Sequence, residues 1–132
     1  MNNPEEAVIA LNESFYVAFN EANLELMHEI WSEQHPVSVI HPGCNLIFNY
    51  DEVMKSWAHI FSADKMPEIK QQTMLVNFVD RMAFVICSED LGEGILIATN
   101  IFVYEDPDWK MIHHQAGPLN QQIASSHDEV LH

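Results

Sequence analysis

A chain of 132 residues, 48% of them hydrophobic, reads as one domain able to bury a core without disulfide staples. Twenty acidic residues against five scattered basic ones give a formal net charge of −15, which excludes nucleic acid as a partner and disfavours an anionic membrane face. Two cysteines, an opening MNNPEEAVIA with no basic leader and the lack of any apolar run near ~20 residues point to a cytoplasmic chain with free thiols, no disulfide framework and no membrane span.

The first predicted element is a helix. Asn3 can cap it, Pro4 suits the first helical position, and Glu5 and Glu6 favour the positive end of the dipole. Val8, Leu11, Phe15, Ala18 and Ala22 follow the helical spacing, and the pattern fades near Asn20. Asn23 can cap a second, shorter helix with Met27, Ile30 and Trp31 on its apolar face; His35-Pro36 is expected to stop it. In VSVIHPG, Val37, Val39 and His41 alternate with Ser38 and Ile40, which predicts a short strand broken by Pro42-Gly43. A third helix is expected from about 51 to 61, with Val53, Met54, Trp57, Ile60 and Phe61 on one face and Asn49 or Asp51 as its cap.

Beyond Pro67 the period changes to two. EIKQQTMLVNFV, MAFVICSEDL, GILIATNIFVY and WKMIHHQAG predict four long strands joined by short turns, an antiparallel meander. Residues 119 to 132 are polar and aperiodic and read as a tail to a domain spanning 1 to 118. Helices gathered on one face of an antiparallel sheet make an α+β domain, and a long sheet under few helices must curl into a cone with a cavity between the layers.

This order, together with the Phe15 to Phe19 helix, IHPG at 40 to 43, Trp57, ATNIFVYE at 98 to 105 and WKMIHHQAGP at 109 to 118, resembles the nuclear transport factor 2-like superfamily, and within it the SnoaL-like branch. The last two strands are also similar to the calmodulin-dependent kinase association domain. The resemblance implies an apolar pocket in the cone and a homodimer through the sheet. It does not choose an activity, since relatives include isomerases, epoxide hydrolases, cyclases, transport factors and assembly domains. Two departures stand out: Asn49 replaces a glycine common before the third helix, and Asp80-Arg81 replaces an Asp-Gly-type turn.

Neighbouring strand residues face opposite ways, so His113 and His114 cannot share one pocket. By the resemblance, Ala116 and Asn100 point inward, which puts His114 and Ile112 inside and His113 on the outer, dimer-facing side. Asn100 then shares the inner face with Leu96, Ala98, Phe102 and Tyr104. It either orients a ligand or satisfies a neighbour such as His114. His41 belongs at the pocket floor or rim, or else holds its loop. Trp57 is a core or pocket-wall residue, and Tyr16 either brings a hydroxyl inward or sits at an exposed helix edge. Cys44 and Cys87 are expected to pack as small hydrophobes.

The ligand-binding candidates are thus His114, Asn100, His41, Trp57, Tyr16 and Phe102, with His114 the candidate acid–base group. Strand interiors carry almost no acids, Glu89 and Asp90 falling at a strand end. The one arginine, Arg81, lies in a turn, which rules out an Asp–Arg–Asp epoxide hydrolase arrangement. No metal or cofactor is expected, because no converging ligand set or phosphate loop is present. Three readings remain: a domain binding a small apolar or amphipathic molecule through His114 and Asn100, an assembly domain with a vestigial pocket, and an isomerase or cyclase using histidine.

Overall fold

The computed structural model of the protein describes residues 3–119. Helix α1 (Pro4–Asn20) starts as predicted: Asn3 accepts from the Glu5 amide at 2.8 Å and Pro4 opens the first turn. Its buried face carries Val8, Phe15 and Ala18, and also two polar residues one turn apart, Asn12 and Tyr16. Helix α2 (Leu24–Ile30) is capped by Asn23, which accepts from the Leu26 amide at 3.0 Å. It ends well before His35-Pro36. Trp31 turns extended and bridges to Met111, and the Ser32 amide donates to the Met111 carbonyl at 3.0 Å, so pairing with the sheet stops the helix before proline can.

Strand β1 (Ser38–Ile40) follows, then β2 (Leu46–Phe48), a three-residue strand too short to show a period in sequence. Helix α3 (Tyr50–Phe61) precedes the four long strands: β3 (Lys70–Val79), β4 (Met82–Asp90), β5 (Ile95–Tyr104) and β6 (Trp109–Pro118). The order across the sheet is β2-β1-β6-β5-β4-β3. Strands β3 to β6 form the antiparallel meander. The expectation of an antiparallel sheet throughout is corrected by β1, which runs parallel to β6 with Val39 opposite His114. The architecture is therefore α+β, three helices against a curved, unclosed mixed sheet. The polar tail lies outside the described residues, except that the Leu119 amide donates to the Ile95 carbonyl at 2.8 Å.

A bulge decides which side chains of β6 face inward. Ile101 pairs with His113 but Phe102 pairs with Met111, so Ile112 is the extra residue. His114 and Ala116 keep the inner face, as expected, but below the bulge Met111 is buried in place of Ile112. His113 is turned away and shares a 2.7 Å hydrogen bond with the Ser38 hydroxyl.

Both departures from the family pattern are accommodated. Asn49 sits at φ 66 and caps α3, accepting from the Glu52 amide at 3.0 Å. In the β3–β4 turn only Asp80 takes a positive φ, 54, which spares Arg81 that conformation. Asn49 thus does two jobs at once. Asn49→Ala should lose the cap and strain the backbone, lowering unfolding free energy by about 1–3 kcal/mol, whereas Asn49→Gly should cost less than about 1. Urea unfolding of the two variants beside the parent measures the split.

Candidate functional site

The inner face of the sheet is apolar except along one diagonal. In β4 the alternation buries Ala83, Val85, Cys87 and Glu89; in β5 it buries Ala98, Asn100 and Phe102; in β6 it buries His114 and Ala116. Asn100 stands directly opposite His114 across the β5–β6 pair. From above, α1 lowers Asn12 and Tyr16 onto the same spot. Helix α3 closes the side with Trp57.

These groups form one hydrogen-bond chain with a definite direction. The Asn100 Nδ2 donates to Asn12 Oδ1 at 2.7 Å and to the Tyr16 hydroxyl at 3.2 Å. That fixes its Oδ1 as the acceptor towards His114 Nδ1, at 2.5 Å. His114 therefore carries its proton on Nδ1, which leaves the Nε2 lone pair without a hydrogen bond among the described residues. Nε2 lies 4.0 Å from Glu89 Oε2. The Tyr16 hydroxyl donates to the same carboxyl oxygen at 2.5 Å and lies 3.3 Å from Cys87 Sγ. Asn12 Nδ2 completes the chain on Gln71 Oε1 at 3.3 Å.

Burial sets the charges. Glu89 is 2% exposed and His114 4%. Desolvation pushes the Glu89 carboxyl up, partly offset by the Tyr16 hydroxyl, and pushes His114 down to about 3, with His41 and His113 adding to the effect. The 4.0 Å contact therefore joins a neutral imidazole to a carboxyl whose ionisation burial disfavours. Burial likewise raises Tyr16 and Cys87 and lowers His41.

On the other side of His114 the wall is aromatic. Its ring lies 4.8 Å from that of Phe15 and 5.9 Å from that of Trp57, centroid to centroid. Trp57 also meets His41 edge-on at 4.8 Å. Its indole Nε1 is buried and finds no acceptor among the described residues, an orphaned donor that costs about 1–3 kcal/mol.

The structure brings His114, Asn100 and Tyr16 into direct contact, with Trp57 beside them and Phe102 fully buried further along β5. His41 stands apart from the hydrogen-bond chain: it shares a 3.0 Å hydrogen bond with the Ser56 hydroxyl and packs on the Trp57 ring. Cys44, expected to pack, is exposed. Glu89, Asn12 and Gln71 are the residues missed from sequence. Strand parity with Ala83, Val85 and Cys87 was the available signal for Glu89, and the i, i+4 spacing from Tyr16 was the signal for Asn12. A cavity of about 370 Å³ opens between α1, α2 and the β5–β6 turn, against Leu11, Ile30 and Trp109.

The two buried titrating groups pull stability in opposite directions. His114, lowered from 6.5 to about 3, contributes stability that is whole above pH 6.5 and is lost as pH falls towards 3. Glu89, raised above its ordinary 4.5, contributes stability that is whole below pH 4.5 and is lost as pH rises through its folded value. Between pH 7 and 5, urea unfolding should show the parent losing about 2 kcal/mol relative to His114→Gln, at up to ~1.4 kcal/mol per pH unit. Glu89→Gln should gain on the parent as pH rises from 4.5. Parallel profiles for parent and His114→Gln would mean that His114 titrates normally.

The model of the SnoaL-like domain family matches residues 8–120. No curated protein matches the sequence. Solved structures do. A proposed dehydratase of the nuclear transport factor 2-like family from Streptomyces avermitilis superposes with a TM-score of 0.74 at 26% identity, over 87% of this chain and 95% of that one. A proposed calcium/calmodulin-dependent protein kinase type II association domain from Thiobacillus denitrificans gives 0.77 at 24%, over 91% and 98%. A ketosteroid isomerase-like protein from Erwinia carotovora atroseptica gives 0.74 at 13%, over 91% and 99%, a likeness of fold alone. With the fold, the strand order and a match over most of its length in agreement, the chain belongs to the SnoaL-like domain family.

Proposed function

We propose that this domain binds a small, apolar or amphipathic molecule between sheet and helices and moves a proton on it. His114 Nε2 is the base, the Glu89 carboxyl the acid, and Asn100 and Tyr16 hold the two in place. The observation that carries this reading is the 4.0 Å approach of a free Nε2 lone pair to a buried carboxyl. A reacting atom seated beside both would lie within hydrogen-bond reach of each. Burial moves the two groups in opposite directions, keeping the imidazole unprotonated and making the carboxyl harder to ionise. The likeness to a proposed dehydratase at 26% identity fits such chemistry without fixing the substrate.

The Phe15 and Trp57 rings pack against the imidazole, and a ligand at Nε2 would lie against them. Phe102 supplies apolar floor, and His41 acts at the rim through Trp57. Cyclohexanone in D₂O, followed by NMR, tests the reading. The wild type should exchange the α-protons, His114→Gln should slow the exchange by about 10²-fold or more, and Glu89→Gln should slow it less. Exchange no faster than in buffer, or unchanged in His114→Gln, would reject proton transfer by this pair.

A second copy of the chain is the partner we propose for the outer face of the sheet. Leu75, Val79 and Met82 are 46%, 56% and 40% exposed there, next to half-buried Phe84, Ile86 and Ile101, an apolar surface left to water in the single chain. His113 lies on that face, away from the cluster. Light scattering should find a dimer that Ile101→Glu converts to a folded monomer; a wild-type monomer at tens of micromolar would reject this interface.

A further inference from the structure

The interior holds one donor that the proton-transfer reading leaves unused. Trp57 is 2% exposed and its Nε1–H meets neither solvent nor any acceptor among the described residues. Rings of Phe15, Phe19, Trp31, His41, Phe61 and His114 surround the indole. An apolar wall needs no indole nitrogen, since phenylalanine fills such space without an amine to bury. The indole ring also lies beside the ring of the base, their centroids 5.9 Å apart. A small ligand seated at His114 Nε2 can therefore present a second atom to the indole.

Charge narrows what that atom can be. All five cationic side chains lie outside the cluster. Lys55, Lys65, Lys70 and Arg81 are exposed; Arg81 lies over the Tyr104 ring, and Lys110 donates to the Glu29 carbonyl at 2.7 Å. Among the described residues the acid inside is Glu89, and the imidazole beside it is held neutral by burial. A ligand carboxylate or phosphate would be desolvated there with no counter-charge, next to a carboxyl group. An uncharged oxygen meets no such penalty and satisfies the indole.

We infer that Trp57 Nε1–H is the specificity-determining donor of this site and that it selects a ligand with an uncharged oxygen acceptor, a carbonyl or ether, over an anion of the same shape. This rests on the reading that ligands bind at His114. The indole would anchor the oxygen while His114 Nε2 faces the hydrogen-bearing atom next to it.

Three probes of similar shape separate the terms: cyclohexanone, cyclohexanecarboxylate and cyclohexane. Each is titrated into ¹⁵N-labelled protein, with the Trp57 indole signal assigned by its loss in Trp57→Phe. Cyclohexanone should move the Trp57 indole proton downfield together with the His114 Nε2 signal. Cyclohexanecarboxylate should bind at least tenfold more weakly. Trp57→Phe should weaken cyclohexanone by about tenfold, as loss of one hydrogen bond would, and leave cyclohexane unchanged. A wild-type indole that stays still while His114 Nε2 shifts overturns the inference and leaves the proton-transfer reading standing, as does a carboxylate that binds as tightly as the ketone. If no probe moves either signal, both are overturned.

Discussion

Asn100 placed opposite His114 is the contact on which the interior depends. An amide in mid-strand among Ala98, Phe102 and Val85 would be costly to bury alone, at about 1–3 kcal/mol for each unmade bond. Here its donors go to Asn12 and Tyr16 and its oxygen to His114. Each partner is oriented in turn. Tyr16 is held where its proton goes to Glu89, and His114 is held in the tautomer that exposes Nε2. The polar groups come from four separate elements, so these have to be assembled before all of the groups are satisfied.

Of the two roles open to Asn100 in sequence, the plainer one is observed: it satisfies His114 and fixes the tautomer of that ring. The Asn100 Nδ2 donors both go to α1 and its Oδ1 already accepts from His114. His41, a candidate by its place at the end of a strand, is drawn instead to Ser56 on α3.

What sequence made legible was local or periodic. Asn3, Asn23 and Asn49 each cap a helix because a short side chain beside a hydrophobic run has one economical use there. The four long strands follow from period two, and parity alone separates His113 from His114. What sequence withheld depends on distant pairing. Strand β2 has three residues, β1 finds a parallel neighbour some 75 positions away, and the bulge at Ile112 exchanges Met111 for Ile112 with no local mark. Glu89 was passed over because an acid at a strand end is usually solvated. It is buried because α1 reaches over that end of β4 and offers Tyr16 to it.

A buried polar cluster can serve stability alone, and a wholly satisfied one gives no reason to look further. Such clusters are commonly replaceable by apolar residues of similar volume at little cost. This one is satisfied on one side only. Its bonds close around Asn12, Tyr16, Asn100 and Nδ1 of His114, while Nε2 of the same ring, the raised carboxyl of Glu89 and the Trp57 indole are left facing one another's neighbourhood without closing it. A structural network would gain by pairing those groups or by discarding them for leucine and phenylalanine. Burying the imidazole, the carboxyl and the indole donor without such pairing costs stability, and under the proposed reading a ligand would offset that cost.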